Sequence, residues 1–296
     1  MNDMTWVKGQ PSPYELHDLT HFPDWRGLIV SDAYFNNLTA GFMIITALTA
    51  LGTPPVFRLI FPFALILAFL ILAVDLVLLV ADLGDPWRFI HSLRVFRPTS
   101  PLSVGVWALS GYAVCLFLSL VTNWMPLLFD VPTLVAGRMH MAARMFPTLA
   151  ALCAAVVICY KGVVFSCTSQ PGVKDARWLT AFMVSDSLLM GCGLYMCLAL
   201  FFGLPVAAMW LLVPFHILLI IRMGAFWLLW LDVAPRARRM HTSNAGIFVM
   251  VYIVGGVIAA GLACFGGIAG MVVAAALVLL TGVCERAWII GLTRPL

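Results

Sequence analysis

Eight ionisable side chains stand inside or at the ends of long apolar runs of this sequence: Asp75, Asp82, Lys161, Asp186, His216, Arg222, Glu285 and Arg286. A charge at the centre of a bilayer costs about 3 kcal/mol or more. Acids and bases placed there therefore point to proton handling, to ion passage, or to a polar headgroup whose tail stays in lipid. At about 1.5 Å per residue from the expected helix ends, Asp82, Lys161, Asp186, Arg222, Glu285 and Arg286 fall within about 15 Å of one membrane face. Asp75 and His216 are expected deeper. The alternative is that these groups pair off to hold helices together, Lys161 with Asp186 and Arg222 with Asp82 or Glu285. Buried ion pairs are poor stabilisers compared with apolar packing, so pairing explains why such residues are tolerated but not why they are there.

Other chemistries find less support. Axial ligation of two haems needs about four deep histidines, whereas His17, His21, His91, His140 and His241 fall in expected loops or tails. Only His216 is deep, and it reads as a hydrogen-bonded helix residue or a proton-relay member. No haem is expected. The cysteines (Cys115, Cys153, Cys159, Cys167, Cys192, Cys197, Cys264 and Cys284) lie mostly in apolar runs without CxxC spacing. They read as small buried hydrophobes, and no metal-ligand set is expected.

The elements that must carry these groups are membrane spans. Of the 296 residues, 63% are hydrophobic and 10% charged, with a mean hydropathy of +1.03; soluble domains carry roughly 25% charged residues. Such a chain cannot coat a globule with polar surface. Apolar windows bounded by Pro, Gly and charge predict eight transmembrane helices near 32–51, 57–82, 102–124, 145–167, 177–201, 205–231, 244–264 and 268–290. The pair Gly266 and Gly267 predicts a tight turn before the last span, and Gly255, Gly256, Ala259, Ala260 and Gly261 predict close helix packing. Residues 1–31 are polar, lack the apolar core of a signal peptide, and are expected to remain as a surface segment ahead of the membrane domain, 32–296.

Eight spans put both termini on one face, here face A. That face would hold Lys8, Arg26, Arg88, Arg94, Arg97, Lys174, Arg177, Arg236, Arg238, Arg239, Arg286 and Arg294, against Arg58, Arg138 and Arg144 on face B. The positive-inside rule makes face A cytoplasmic. A basic docking surface for an acidic partner would leave the same imbalance.

Between the second and third spans stands Asp82-Leu-Gly-Asp-Pro-Trp-Arg-Phe89, followed by Arg97-Pro-Thr-Ser-Pro-Leu-Ser-Val-Gly-Val-Trp107. Gly84 and Pro86 end one helix, Arg88 can turn back toward Asp82, and Ser100-Pro101 caps and starts the next. Tyr160-Lys161-Gly162 closes the fourth span, and Ser169-Gln170-Pro171 and Trp178 follow it. This ordered set resembles the NrfD/PsrC family, the membrane subunits of polysulfide-reductase-like complexes.

The resemblance implies an all-α integral membrane protein of eight helices in two four-helix bundles, about 32–167 and 177–290. It implies a haem-free anchor that binds a quinone, menaquinone or ubiquinone, and exchanges electrons with a ferredoxin-like iron–sulfur subunit. That partner would connect in turn to a molybdopterin-type catalytic subunit, so the iron–sulfur clusters and the molybdopterin sit on partners. The expected localisation is a bacterial or archaeal cytoplasmic membrane. Carried onto this chain, the quinone pocket wall includes Tyr160 and Tyr34, with Asp32, Asn37 and Glu285 as further headgroup contacts. Asp82, Lys161, Asp186 and Arg222 are the expected proton-handling or headgroup residues, and Arg88, His91, Arg94 and Arg97 would line the partner-facing loop. In this family a Thr commonly stands where this chain has Lys161, and some members carry an Asn and a His where it has Asp32, Tyr34, Asn36 and Asn37. A transporter, or a redox-driven proton path through Asp75 and His216, is the competing reading, because buried Asp, Lys and Arg also mark ion pathways.

Overall fold

The computed structural model describes residues 27–52, 55–82, 88–130, 132–167, 173–174, 176–240 and 245–292. Among them, eight helices are long and apolar enough to cross a membrane, and no strand occurs. The chain is an all-α, multi-pass integral membrane protein. The elements are α1 (Gly27–Gly52), α2 (Val56–Asp82), the short α3 (Arg88–Ser92), α4 (Pro101–Leu128), α5 (Thr133–Cys167), α6 (Leu179–Phe201) and α7 (Pro205–Met240). The seventh span runs from α8 (Ala245–Phe248) through a π-helical stretch, Val249–Ile258, into α9 (Ala259–Phe265), and α10 (Gly267–Gly291) closes the fold. Of the expected surface segment, residues 1–26 lie outside the described residues and 27–31 form the first turn of α1. The Ser169-Gln170-Pro171 stretch and residues 83–87 of the loop motif also lie outside them.

Local sequence explains most boundaries. The Ser100 hydroxyl accepts from the Ser103 amide at 3.4 Å and Pro101 takes the first helical position of α4, as a cap followed by proline should. Gly266 ends α9 with its amide on the Leu262 carbonyl at 2.9 Å, and Gly267, at φ 58°, makes the turn into α10. Two helices outrun their expected limits by nine residues or more. α5 begins at Thr133 instead of 145, because Arg138, His140 and Arg144 make its first turns look like a loop by polarity, whereas Ala, Leu, Met and Arg favour helix. His140 is therefore a helix residue and not a loop residue. α7 likewise continues past 231 to Met240.

Packing centres on α1 and α6, the most enclosed spans. α1 touches α2 and α5 from the first half of the chain and α6 and α10 from the second. The α1–α6 crossing is made by absent side chains: a Cβ on Gly41 would lie 1.9 Å from the Ser187 carbonyl oxygen, and one on Gly191 2.4 Å from the Gly41 carbonyl carbon. Ser187 and Gly191 are one turn apart, the small-xxx-small spacing that lets membrane helices approach backbone to backbone. Gly255 and Gly256 do the same for the π-helical stretch, against Thr281 at 2.5 Å and Met223 at 2.9 Å. Gly261, from the same stripe, has nothing within 4 Å, so it does not belong to that packing. Toward face A, Phe226, Trp230, Phe248 and Trp288 form a ring cluster with centroids 5.4–6.2 Å apart.

A side chain at the α1–α6 crossing should therefore separate the two halves of the protein. Gly41→Leu is expected to destabilise by about 3 kcal/mol or more, as overpacking against backbone does, while Gly261→Ala is expected to leave stability unchanged. Thermal melts of the detergent-purified variants check this, and a Gly41→Leu protein melting with the parent would disprove the crossing.

Candidate functional site

The intramembrane charges are drawn into two groups at a similar depth. The first is a closed ring on α6, α7 and α10. Asp186 accepts from Arg222 Nε at 2.8 Å through Oδ1 and from Arg286 Nη1 through Oδ2. Glu285 accepts from Arg222 Nη2 through Oε1 and from Arg286 Nη1 at 3.4 Å through Oε2. All four residues are buried. Two carboxylates face two guanidiniums, so the ring carries no net charge, and Arg geometry suits such forked pairing.

Arg222 also reaches the carbonyls of Val251 at 3.4 Å and Gly255 at 3.2 Å, and the Thr281 hydroxyl at 3.3 Å. Val251 and Gly255 belong to the π-helical stretch. A wider helical turn displaces carbonyls from their usual i→i+4 partners, and the guanidinium supplies donors to two of them. The close approach permitted by Gly255 and Gly256 lets that stretch come within reach of α7 and α10. Tyr34, of α1, stands at the edge of the ring, since a Cβ on Gly282 would lie 3.4 Å from both its Cε2 and Arg286 Nη1.

The second group joins α1, α2 and α5. Lys161 donates to Asp32 Oδ2, and Asn36 Nδ2 donates to Asp75 Oδ2 at 2.9 Å. Asp32 and Asn36 are one helical turn apart and so share a face of α1. Lys161 Nζ also lies 6.0 Å from the centroid of the Tyr160 ring. That ring fills the space left by Gly105 of α4, where a Cβ would lie 2.2 Å from Tyr160 Cδ2. In the ring every carboxylate oxygen has a partner, whereas this group leaves carboxylate and amide atoms unmet. Asp32 Oδ1, Asn36 Oδ1, Asp75 Oδ1 and both amide atoms of Asn37 are buried with no hydrogen-bond partner, as are Arg286 Nε and Nη2. Buried polar groups are nearly always paired, and each one left bare costs about 1–3 kcal/mol. Lys161 is paired with Asp32, while Asp75 is met by the Asn36 amide and by no cation among the described residues, so the group can hold an exchangeable proton.

Several expectations change. Lys161 pairs with Asp32 and not with Asp186, and Asp186 takes both arginines. Of the two partners expected for Arg222, Glu285 is the one it meets. Asp82 ends α2 as an exposed residue and, among the described residues, forms no ion pair with either group. Asp75, expected apart from the layer, belongs to the second group through Asn36. His216 Nδ1 lies 2.7 Å from the Leu212 carbonyl, and its Nε2 lies 3.3 Å from the Ala260 carbonyl and 3.1 Å from Cys264 Sγ. It thus links α7 to α9 and meets neither group. His91, Arg94 and Arg97 are exposed around α3 and the turn after it, and Arg88 begins α3. Among the described residues, no three His, Cys, Asp or Glu side chains come together as a metal site. Sequence reading passed over the Thr281 hydroxyl, the Val251 and Gly255 carbonyls and the role of Asn36. A run of two Asn in an apolar helix was the available signal for the last.

If the ring is structural, its members are not individually expendable. Removing one partner of a buried ion pair destabilises by about 3–5 kcal/mol; Arg222→Met is expected to fall in that range, and Arg222→Lys to restore only part of the loss because the three donors of one ammonium cannot replace a guanidinium that serves five acceptors. Melting of the purified full chain checks this, and an Arg222→Met protein as stable as the parent would refute it.

Comparison with known proteins supplies the remaining link. Residues 21–292 match the family described as polysulphide reductase, NrfD. Over 106 residues the chain is 32% identical to a selenate reductase subunit of Mesobacillus selenatarsenatis, a stretch covering 36% of this chain and 24% of that protein. The match thus spans about a quarter of that relative. The family match takes in all eight spans and both buried groups, and on that ground the chain belongs to the NrfD family of polysulphide reductase proteins.

Proposed function

We propose that this protein is the membrane anchor of a multisubunit oxidoreductase and binds a quinone beside the Asp32–Lys161 group. In this reading electrons pass to or from a ferredoxin-like iron–sulfur subunit docked on face A, which connects to a molybdopterin-type catalytic subunit. The observation that carries it is the set of bare polar atoms around Asp32, Asn36, Asn37 and Asp75, in a chain of this family. A quinone supplies two carbonyl oxygens that accept hydrogen bonds and, on reduction, two electrons' worth of capacity with two protons. The residues fit such a group: the Asn37 amide and Arg286 Nε and Nη2 are donors without acceptors, and Lys161 is a further donor with Tyr160 at its side.

The two groups then have different duties. Asp32 and Asp75 are two carboxylates with one ammonium, Lys161, in their group, so a proton held on one of them for the headgroup leaves the group without net charge. Asp186, Arg222 and Glu285 are fully engaged with one another, and they support the pocket by fixing Arg286 and the position of α10 against Tyr34. Counting about 1.5 Å per residue from the helix ends, Asp32, Asp75, Lys161, Asp186, Glu285 and Arg286 all sit about 7–11 Å from face A, a short path to a docked electron carrier. His91, Arg94 and Arg97, exposed at that face, would steer an acidic partner toward it. The charge bias makes face A cytoplasmic.

The test uses the intact complex with two electron donors or acceptors, a quinone analogue and a viologen dye that bypasses the membrane subunit. Losing one positioned hydrogen bond is worth about tenfold. Asn37→Leu, Lys161→Met and Tyr160→Phe are each expected to slow quinone-linked turnover by about that factor and leave the dye reaction unchanged. Asp82→Asn, outside both groups, is expected to change little. Normal quinone kinetics in all three pocket variants would place the headgroup elsewhere; solute flux in liposomes holding this protein alone would favour transport.

A further inference from the structure

Face B carries almost no charge, yet most of what it carries is gathered in one place. Of the thirteen acids in the sequence, Asp130 is the one that falls at this end of the spans. Arg58, Arg138 and Arg144 are its basic residues. A cavity of about 540 Å³ opens between the end of α1, the start of α2, the later half of α4 and the first turns of α5, within the range of small-molecule sites. Arg58, His140 and Arg144 line it, together with Asn123 and Thr148. Among the described residues, no carboxylate forms an ion pair with Arg58 or Arg144.

The wall is held by side-chain bonds from α4 to the carbonyls of its neighbours, one of them left free by a proline. Pro147 has no amide to give the Ala143 carbonyl four residues earlier, and Asn123 Nδ2 donates to that carbonyl at 3.5 Å while also bonding the Ser119 carbonyl at 2.8 Å. One residue on, Trp124 Nε1 donates to the Pro62 carbonyl at 3.1 Å. α4 is thereby tied to α5 and to α2 on both sides of the cavity. Two guanidiniums and an imidazole converge there with no carboxylate among the described lining residues, which is the arrangement that recognises a phosphate group.

The rest of the lining says which phosphate. Leu51, Phe57 and Phe61 complete the cavity, and Leu48, Leu59 and Phe63 beside them are exposed, where the spans meet lipid. A free anion has no use for that apolar side; a phospholipid has, since its chains continue past the headgroup. Basic pockets between membrane helices hold acidic headgroups by this combination. We propose that the face-B cavity binds the phosphate headgroup of an anionic phospholipid from the adjoining leaflet, at the end of the molecule opposite the Asp32–Lys161 group.

Native mass spectrometry of the full chain, released from detergent with added phosphatidylglycerol or phosphatidylcholine, reads this directly. The unmodified chain is expected to retain one phosphatidylglycerol in preference to phosphatidylcholine. The pair of changes Arg58→Gln and Arg144→Gln is expected to weaken retention about thirtyfold, at about 1 kcal/mol per basic residue. Arg58→Lys with Arg144→Lys, which keeps the charge and guards against misfolding, should recover most of it, and Arg138→Gln, on the same face but outside the cavity, should not weaken it. Retention that is equal for the two lipids, unaffected by the double Gln change, or equally weakened by Arg138→Gln overturns the proposal. Inorganic phosphate at millimolar concentration should not displace the lipid; if it does so and itself remains bound, the cavity is a free-anion site and the lipid assignment fails.

Discussion

Ionised groups cannot stand alone in a hydrocarbon layer, and that constraint organises this protein more than any apolar contact does. Lipid is as apolar as leucine, so helix association in a membrane gains little from burying hydrophobic surface. What selects one arrangement of eight similar helices is the need of Arg222 and Arg286 for carboxylates, and of Asp186 and Glu285 for cations. The ring meets both needs only when α6, α7 and α10 are brought to one relative rotation. A rotation of α7 by one residue, about 100°, would aim Arg222 away from all its partners. The glycines follow from the same demand: Gly255 and Gly256 remove the side chains that would hold the π-helical stretch away from Thr281 and Met223.

The two charged groups differ in completeness, and that difference separates scaffold from chemistry. In the ring every carboxylate oxygen has a partner, and Arg222 uses its donors on five separate acceptors. The ring's carboxylates are thus fully met, and its bare donors are Arg286 Nε and Nη2, on the arginine beside Tyr34. Around Asp32 and Asp75 the opposite holds, with atoms of four neighbouring side chains left bare. Membrane proteins carry such a deficit only where something else supplies the missing partners. The two groups meet through Tyr34 and Arg286, because Tyr34 belongs to the same helix as Asp32 and touches the region of α10 that holds the ring. The rigid half thus fixes the position of the unsatisfied half.

What sequence can specify here depends on whether a property is read along the chain or around it. The eight spans were legible because twenty apolar residues in a row have one physical meaning. The charged residues inside them were legible because their cost makes each one conspicuous. Which charge meets which was not: Lys161 could face Asp32, Asp75 or Asp186 depending on rotations that no linear pattern encodes, and it faces the first. Arg222 had two candidates and takes Glu285, together with Asp186, whose expected partner was Lys161. The early start of α5 was hidden for a related reason. Arg138, His140 and Arg144 break the apolar run, so hydropathy ends the span where the helix in fact continues out of the hydrocarbon.

The same distinction between linear and spatial information bears on the basic residues of face B. Counted along the sequence, Arg58 and Arg144 are two of three positive charges on the sparse side of a topology argument, and their number is their only content. In space they stand across one cavity from each other, with His140 between helices that Asn123 and Trp124 bind together. The positive-inside rule removes basic residues from one side of a membrane protein, and residues that persist against that bias have a local reason to do so. On face A cations are abundant, and any one of them can be explained by the average; on face B each cation has to be explained by its surroundings. For Arg58 and Arg144 those surroundings are a cavity whose described lining holds no acid and which is bordered by lipid-facing Leu and Phe, an environment that leaves a guanidinium to find its counter-charge in a ligand.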